Sequence, residues 1–332
     1  MQHILVIGPE RNQNNGPSVF SKNLTHEIEK QHIKVTYISK ENFKKHIFKT
    51  FEQYDSILIN STSLLPLFYA PHIKLYKKSN RKILFILHGE MGKEVANKIK
   101  KNLLQCLQSF LIRQSTYIVF VSSMFKQDFF SSYTKHIHYK KKSIVIPNGI
   151  DDLVKNNETF KRPVKPAIDV IYVGGTRLEK GYDLMQSFLE RPFDFKDTRV
   201  NIHLVGITNT SHATQLKNTT IHYYPKLNHS EVINRYSKCD IFLSTSLYET
   251  YGIAIQEAYS RGCKIVTYKK AGVLELIEKD ETVFRYDALT PESLYAALLK
   301  AIDSRKKQDA LTLSKIPTWR EVSIQYIHAL QK

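Results

Sequence analysis

Two glutamates, Glu249 and Glu257, stand in an otherwise apolar stretch, STSLYETYGIAIQEAYSRGCKIVTY, at residues 244–268. The apolar pattern predicts a strand, then a helix that begins near residues 251–252 and ends at Gly262, then a second strand. Glycine at that end suits the left-handed backbone conformation that closes many helices. The question for function is therefore what two carboxylates do around such a helix.

The predicted positions of the two glutamates suggest a ligand site. Glu249 comes just before the helix, at the carboxyl end of a predicted parallel strand, which is where open α/β sheets bind ligands. The free N–H groups of the first helical turn, together with the helix dipole, favour a phosphate there. Glu257 follows about a turn and a half into the helix among apolar neighbours. We expect its carboxylate to reach a hydrogen-bonding partner or to line a cavity.

Short apolar runs alternate with helix-length segments along the chain. The predicted strands span residues 3–8, 34–39, 56–60, 82–88, 117–122 and 143–150, then 169–175, 201–206, 220–225, 240–246 and 263–268. Continuous apolar strands separated by helices are typical of a parallel sheet covered on both faces. Because the pattern restarts after FKRPVKPA, we predict an α/β protein with two doubly wound, Rossmann-like domains and a linker near 151–167.

Composition narrows the class of protein. The chain has 332 residues, of which 42% are hydrophobic, as expected for a globular protein of two domains. Its three cysteines, Cys106, Cys239 and Cys263, are far apart and odd in number, which fits neither a disulfide framework nor a zinc site. No run approaches the roughly 18 apolar residues of a membrane span, and the start lacks a secretory signal pattern. We expect a cytoplasmic protein.

Positive charge is concentrated in the first half of the chain. The net charge is +18, and residues 1–150 hold 23 Lys and Arg against 9 Asp and Glu, whereas residues 151–332 hold 26 against 22. Such a field attracts nucleic acid, anionic lipid headgroups or a phosphate-bearing substrate.

Three segments combine these lysines with apolar residues, at 41–54, 63–82 and 135–142. In the first of them, Phe43, Ile47, Phe48 and Phe51 recur at helical spacing among lysines, which predicts a basic amphipathic segment suited to an anionic membrane surface.

The order Glu249, Tyr251, Gly252, Glu257 after a strand ending in Ser resembles the donor-binding signature of the GT-B retaining glycosyltransferases of family 4. Further segments resemble this family in the same order: VIPNGID (145–151), YVGGTRLEKGYDLM (172–185), AGVLELI (271–277) and TWREVSIQYIHAL (318–330).

This resemblance implies the GT-B fold, with the donor site in the cleft between two domains. Residues 1–152, joined by a C-terminal helix at 317–331, would face the acceptor and the membrane. Residues 165–316 would bind the nucleotide sugar.

The resemblance also implies roles for residues of the second domain. Glu257 would accept hydrogen bonds from the ribose hydroxyls, and Glu249 would face the donor sugar and its phosphate. The backbone at Gly252 and Ile253 would meet the diphosphate. The backbone around Tyr224, in YYPKL, would recognise the base, with uracil, guanine and adenine all open.

Four further positions complete the expected site. Arg177 and Lys180 would neutralise the departing diphosphate, and His88 would contact the donor sugar. Gly16 would lie in the glycine-bearing loop near the acceptor and the donor phosphate, although Pro17 stands where the family has a second glycine.

Family chemistry implies a retaining transfer of a hexosyl or N-acetylhexosaminyl group from a nucleotide sugar. The protein would mainly supply positioning and charge stabilisation, with no nucleophile, no metal and no other cofactor. With the basic first half, the expected acceptor is a glycan or a polyprenyl-diphosphate-linked glycan. The work would be done at the anionic inner face of the cell membrane, in the synthesis of a bacterial surface polysaccharide or glycolipid.

Two other functions stay open at this level. A sugar-nucleotide epimerase of the same architecture would also bind a nucleotide sugar. A nucleic-acid-binding protein would explain the basic half, but its usual sequence signatures are missing and the glutamate pair would have no use. We therefore expect no nucleic-acid partner.

Overall fold

The computed structural model describes residues 2–12, 16–46, 51–60, 63–79, 81–91, 95–151, 165–191, 195, 197–304 and 315–331. The chain divides into two compact units, one formed by Met1–Gly149 with Pro317–Lys332 and the other by Ile150–Ile316. Most of the expected linker falls outside the described residues. In both units a mainly parallel sheet is flanked by helices, so the predicted α/β class with two Rossmann-like sheets is confirmed.

The described part of the first unit holds a six-stranded parallel sheet in the order β2-β1-β3-β4-β5-β6. Its strands are His3–Ile7 (β1), Lys34–Ile38 (β2), Ser56–Ile59 (β3), Lys82–Leu87 (β4), Tyr117–Phe120 (β5) and Ser143–Val145 (β6). Its helices are Gly16–Lys30 (α1), Ala70–Lys78 (α2), Lys98–Gln114 (α3) and Ser123–Ser132 (α4). The central strands are almost wholly buried because helices cover both faces.

The second unit contains, among its described residues, a seven-stranded sheet in the order β13-β12-β11-β7-β8-β10-β9. Its strands are Ala167–Val173 (β7), Arg199–Val205 (β8), His212–Leu216 (β9), Thr219–Tyr224 (β10), Ile241–Ser244 (β11), Lys264–Tyr268 (β12) and Val283–Tyr286 (β13). Its helices are Tyr182–Leu189 (α5), His229–Lys238 (α6), Ile253–Ser260 (α7), Leu274–Ile277 (α8) and Pro291–Asp303 (α9).

Every predicted strand is present among the described residues, which also form two further strands. The edge strand β9 runs antiparallel to β10, and all five of its residues are exposed, so it has no apolar pattern. The other edge strand, β13, has only four residues, of which Tyr286 alone is buried.

In each sheet, the order in which the chain adds strands reverses at one point, which we call the switch point. In the second unit, the chain moves outward from β7 to β8 and β10, then returns to place β11 on the other side of β7. In the first unit, β1 and β3 are the corresponding pair. The loops after such strands diverge and leave a crevice at the carboxyl edge, where this class of sheet binds ligands.

The last helix of the chain, Trp319–Gln331 (α10), packs in the first unit. The rings of Trp319 and Tyr326 both contact Phe20 of α1, with centroids 5.5 and 6.0 Å away. Gly149, which follows β6 in the chain, lets this helix start close by, since a Cβ atom there would lie 2.6 Å from the Trp319 amide nitrogen. Helices α1 and α10 therefore share one core with the strands.

The helical segment predicted across residues 41–54 is wrong for its described part. Two separate 3-10 helices are found, at Phe43–Lys45 and Phe51–Gln53. Phe51 is only 4% exposed and belongs to the core, because its ring packs against Tyr69. Ile47 and Phe48 lie outside the described residues.

No helix in the described part of the chain is both long and apolar enough to cross a bilayer.

A buried hydroxyl in α10 yields a stability prediction. Tyr326 is fully buried, and its hydroxyl has no hydrogen-bond partner among the described residues, whereas the buried Tyr76 hydroxyl donates to the Tyr54 carbonyl at 2.9 Å. An unsatisfied buried hydroxyl costs about 1–3 kcal/mol. We expect Tyr326→Phe to leave the free energy of unfolding unchanged or raise it by about 1 kcal/mol, and Tyr76→Phe to lower it by about 1 kcal/mol. Urea unfolding measures both free energies, and a loss in Tyr326→Phe equal to that in Tyr76→Phe would show that the Tyr326 hydroxyl is hydrogen-bonded in the folded protein.

Candidate functional site

Two loops touch where β7 and β11 end, at the switch point of the second sheet. The Thr245 hydroxyl donates to the Lys180 carbonyl at 2.8 Å, and the Leu247 amide donates to the Glu179 carbonyl at 3.4 Å. Gly181 has φ +68°, and any Cβ there would overlap the Thr245 carbonyl oxygen. Glycine therefore allows both the left-handed backbone and the close approach. The contact brings the Lys180 side chain to the loop after β11.

Lys180 and Glu249 form an ion pair across these loops. The Lys180 Nζ lies 2.5 Å from the Glu249 Oε1, which also accepts a hydrogen bond of 2.8 Å from the Ser246 hydroxyl. The two charged side chains are 25% and 16% exposed, so the pair is shielded more than an ordinary surface salt bridge. An ammonium has three donor hydrogens, so Lys180 can hold the carboxylate and an anion together.

The backbone of Glu249 is fixed by the loop after β12. Its amide donates to the Lys270 carbonyl at 2.9 Å, and its carbonyl accepts from the Gly272 amide at 3.0 Å. The Val273 amide donates to the Tyr251 carbonyl at 2.7 Å. The site is thus assembled from the loops that follow three adjacent strands, and the carboxylate is held in place before any ligand arrives.

Helix α7 starts directly beside this ion pair. Its N-cap residue, Gly252, has φ +97°, a backbone conformation that residues with a Cβ atom rarely adopt. The preceding Tyr251 is buried, and its hydroxyl accepts a hydrogen bond of 2.9 Å from the Gln256 side chain within the helix. The first-turn N–H groups, beginning at Ile253, have no acceptor within the helix and can bind an anion. The predicted helix end is confirmed, with Gly262 at φ +82°.

Glu257 has a partner that the sequence did not reveal. Its Oε1 lies 2.7 Å from the His229 Nε2, so the expected need for a hydrogen-bonding partner is met. His229 opens α6 after the Asn228 cap, where Asn228 and Glu231 form a reciprocal capping box. The carboxylate is 19% exposed and the imidazole 42%, so both reach the surface. In the sequence, the capping box could have marked the start of the helix at His229. It could not have shown the contact with Glu257, which lies 28 residues away.

Arg177 and Tyr224 make other contacts. Arg177 is 61% exposed, with its guanidinium 3.5 Å from the Glu179 carboxylate, and makes no ion pair with Glu249 among the described contacts. Tyr224 ends β10, and the Arg235 guanidinium carbon lies 3.7 Å from its ring centroid.

A polar network under Tyr224 was also absent from the sequence analysis. The Tyr224 hydroxyl and the His203 Nδ1 are 3.2 Å apart, and the His203 Nε2 lies 3.0 Å from the Asp169 carboxylate. Burial alone would raise the pKa of Asp169, but hydrogen bonds from His203, Lys165 and Asn201 outweigh it and hold the pKa well below its usual range. The charged carboxylate thus fixes the imidazole that holds the tyrosine.

The two remaining predicted site residues belong to the first unit. Gly16 is the first residue of α1, and His88 directly follows β4. The ring of Phe20, one turn into α1, packs edge-on against His88 with centroids 4.6 Å apart. Burial lowers the pKa of His88 to about 4, so the imidazole is neutral at pH 7. His88 therefore packs against α1, the helix that Gly16 begins.

Within the residues that the structure describes, no group of three or more His, Cys, Asp or Glu side chains is arranged to hold a metal ion.

Comparison with protein families gives one match. Residues 152–313, which make up most of the second unit, match the family model described as "Glycosyl transferases group 1". No curated protein matches the sequence.

Solved structures with the same fold cover the whole chain. Sucrose-phosphate synthase from Thermosynechococcus elongatus superposes with a TM-score of 0.72 at 14% identity, covering 100% of this chain and 98% of its own. Anabaena HepE in complex with UDP and glucose gives 0.68 at 15%, covering 99% of each chain. The lipopolysaccharide outer core galactosyltransferase WaaB gives 0.67 at 14%, covering 100% of each. The fold is therefore that of the two-domain GT-B glycosyltransferases.

Two glycines test the contact that positions Lys180. Gly181 and Gly175 share a left-handed backbone, with φ +68° and +62°, but a Cβ at Gly175 would have its nearest neighbour, the Gly206 carbonyl oxygen, at 3.3 Å. We expect Gly175→Ala to cost about 1–2 kcal/mol of backbone strain. Gly181→Ala should cost a further 1–3 kcal/mol, roughly, because Thr245 must move. Urea unfolding measures both losses, and equal losses would show that the contact is not restrictive.

Proposed function

We propose that the protein is a retaining glycosyltransferase of GT-B family 4, which transfers a hexosyl or N-acetylhexosaminyl group from a nucleotide sugar. The observation that carries this proposal is the ion pair of Lys180 and Glu249 beside the amino end of α7, at the switch point of the sheet. The family match over residues 152–313 supports it. So does the presence of UDP and glucose in HepE, which has the same fold.

The donor's diphosphate would lie on the first turn of α7, where the backbone at Gly252 and Ile253 meets it. Lys180 would bind the diphosphate while keeping its contact with Glu249, so that a cation and a helix dipole act on one anion. Arg177, exposed in the same loop, would add a second cation from the edge.

The nucleoside would extend from there toward the other residues of the second unit. Glu257 would accept a hydrogen bond from each ribose hydroxyl, which suits a carboxylate with two oxygens. His229 would hold that carboxylate in place through its 2.7 Å contact. The backbone around Tyr224 would recognise the base, with the tyrosine fixed by His203 and Asp169.

Catalysis would rest on positioning and on charge. In a front-face reaction, the bond from the anomeric carbon to the leaving phosphate oxygen breaks on the side where the acceptor oxygen attaches. The leaving oxygen takes the acceptor proton. Negative charge grows on the diphosphate, where Lys180 and the helix N–H groups stabilise it. We propose that these groups replace a metal ion and that no other cofactor is used.

Residues of the first unit would serve the sugar and the acceptor. His88, neutral at pH 7, can donate a hydrogen bond to a sugar hydroxyl or accept one from it. Gly16 would allow a close backbone approach near the acceptor and the donor phosphate.

The acceptor that we propose is a glycan or a polyprenyl-diphosphate-linked glycan in the synthesis of a bacterial surface polysaccharide or glycolipid. The support is the charge of the first half of the chain, 23 Lys and Arg against 9 Asp and Glu, which favours an anionic partner. A cytoplasmic protein that binds the inner face of the cell membrane peripherally would meet such an acceptor.

The proposal is tested by calorimetric titration with UDP-, GDP- and ADP-sugars. We expect one nucleotide sugar to bind, and Glu257→Gln to weaken its affinity by about 10–100-fold, because hydrogen bonds to a charged group contribute roughly 1.5–3 kcal/mol. Glu190→Gln, an exposed carboxylate at the end of α5, is the matched control and should bind as the wild type does.

Two results would contradict this proposal. A folded wild-type protein that binds no nucleotide or nucleotide sugar would remove the donor site. Release of free, isomerised nucleotide sugar without transfer would instead identify an epimerase.

A further inference from the structure

An apolar strip lies exposed on the surface of the first unit. A 3-10 helix at Leu65–Tyr69 runs directly into α2, and Leu67, Phe68 and Leu75 along it are 46%, 55% and 63% exposed. Phe68, Pro71 and Leu75 follow one another at spacings of three and four residues, so they lie on one side of the segment. Pro71 is exposed as well.

The opposite side of this segment is fixed in the core. Tyr69, Ile73 and Tyr76 are at most 4% exposed. The Tyr69 hydroxyl donates to the Phe43 carbonyl, and the Tyr76 hydroxyl donates to the Tyr54 carbonyl, both at 2.9 Å. These contacts set the rotation of the segment about its axis, so the apolar strip faces outward in the folded protein.

The charged side chains of α2 itself are all lysines. No acidic residue occurs between Asp55 and Glu90 in the sequence, while Lys74 and Lys78 are exposed on α2 next to the strip. We define the docking face as Leu67, Phe68, Pro71, Lys74, Leu75 and Lys78.

More cations gather where α2 ends. The Lys77 ammonium donates to the Arg113 carbonyl at the end of α3 at 2.5 Å. Lys142, at the end of the 3-10 helix Thr134–Lys142, donates to the Ile112 carbonyl at 2.6 Å. Burial, and to a smaller extent the nearby Lys77, lowers the pKa of Lys142 to about 8. The exposed cations brought together here are Lys77, Lys78, Arg113, Lys140 and Lys141.

We propose that the docking face binds the anionic surface of a phospholipid bilayer. Phe68 and Leu75 enter the boundary between headgroups and acyl chains, and the lysines contact lipid phosphates. An exposed aromatic and aliphatic strip with lysines on the same helix is the pattern of an interfacial membrane segment. A nucleic acid would use the cations but leave the aliphatic residues exposed to water.

The role of the docking face rests on the proposed function. A transferase that modifies a lipid-anchored acceptor works at a bilayer, and the docking face would hold the first unit there. The surface itself does not involve the donor site, so vesicle binding and donor binding fail or succeed separately.

The experiment measures binding of the full chain to vesicles by co-sedimentation, with phosphatidylcholine alone and with added phosphatidylglycerol. We expect binding to the anionic vesicles that weakens as salt rises. Lys74→Gln/Lys78→Gln should lower it by about 30-fold, since each lysine contributes roughly fivefold near such a surface. Phe68→Ser/Leu75→Ser should lower it by about tenfold or more through lost apolar burial.

Matched controls come from the second unit. Lys279→Gln/Lys300→Gln removes the same charge from exposed positions. Leu216→Ser/Leu289→Ser replaces two leucines that are 50% and 40% exposed. Both should bind vesicles as the wild type does. Circular dichroism confirms the fold of every variant, and all of them should keep the wild-type affinity for the nucleotide sugar.

Three results would overturn the proposal. One is equal binding of the wild type to neutral and anionic vesicles, or to neither. Another is a fall in the controls as large as that in the docking-face variants. The third is binding to a single-stranded RNA, lost in the same variants, without any binding to vesicles. A failed vesicle test beside intact donor binding would remove the docking face and leave the transferase proposal standing.

Discussion

The close backbone contact at Gly181 is the constraint on which the candidate site depends. It presses the loop after β7 against the end of β11, where Thr245 bonds back to the Lys180 carbonyl. Only with the loops this close can a lysine from the loop after β7 pair with a glutamate that comes 69 residues later. The ion pair then stands at the one place where the loops diverge and α7 presents its N–H groups.

The site is arranged so that its polar groups stabilise one another before a ligand binds. Glu249 offsets the charge of Lys180 and is itself fixed through hydrogen bonds to the loop after β12. Glu257 and His229 form a second pair from two neighbouring helices. Because these side chains are held by backbone and side-chain contacts, little conformational entropy remains to be lost on binding.

The two halves of the chain differ in charge. The second half of the chain is nearly balanced, with 26 basic and 22 acidic residues. The first half carries the excess of lysines, several of which meet where α2 and α3 end. The two distributions suit the proposed nucleotide-sugar donor and the proposed membrane surface, respectively.

Much of the fold could be predicted from the sequence, because buried parallel strands are continuous apolar runs and the glycines at 252 and 262 mark the ends of α7. Strand β9 could not, since its five residues are exposed and paired only at an edge. Phe51 was placed on an amphipathic helix because its spacing fitted, but tertiary contacts bury it. His229 and the Asp169–His203 pair were missed because such contacts depend on how helices and strands are arranged in space.

The most direct test of the central claim is the difference in affinity between nucleoside diphosphates and monophosphates. Titration of UDP against UMP, with GDP and ADP pairs beside them, would be compared for the wild type and Lys180→Met. If the switch point binds the diphosphate, the wild type prefers the diphosphate by about tenfold or more, and Lys180→Met loses most of that preference. An unchanged preference in Lys180→Met, or none in the wild type, would contradict the account.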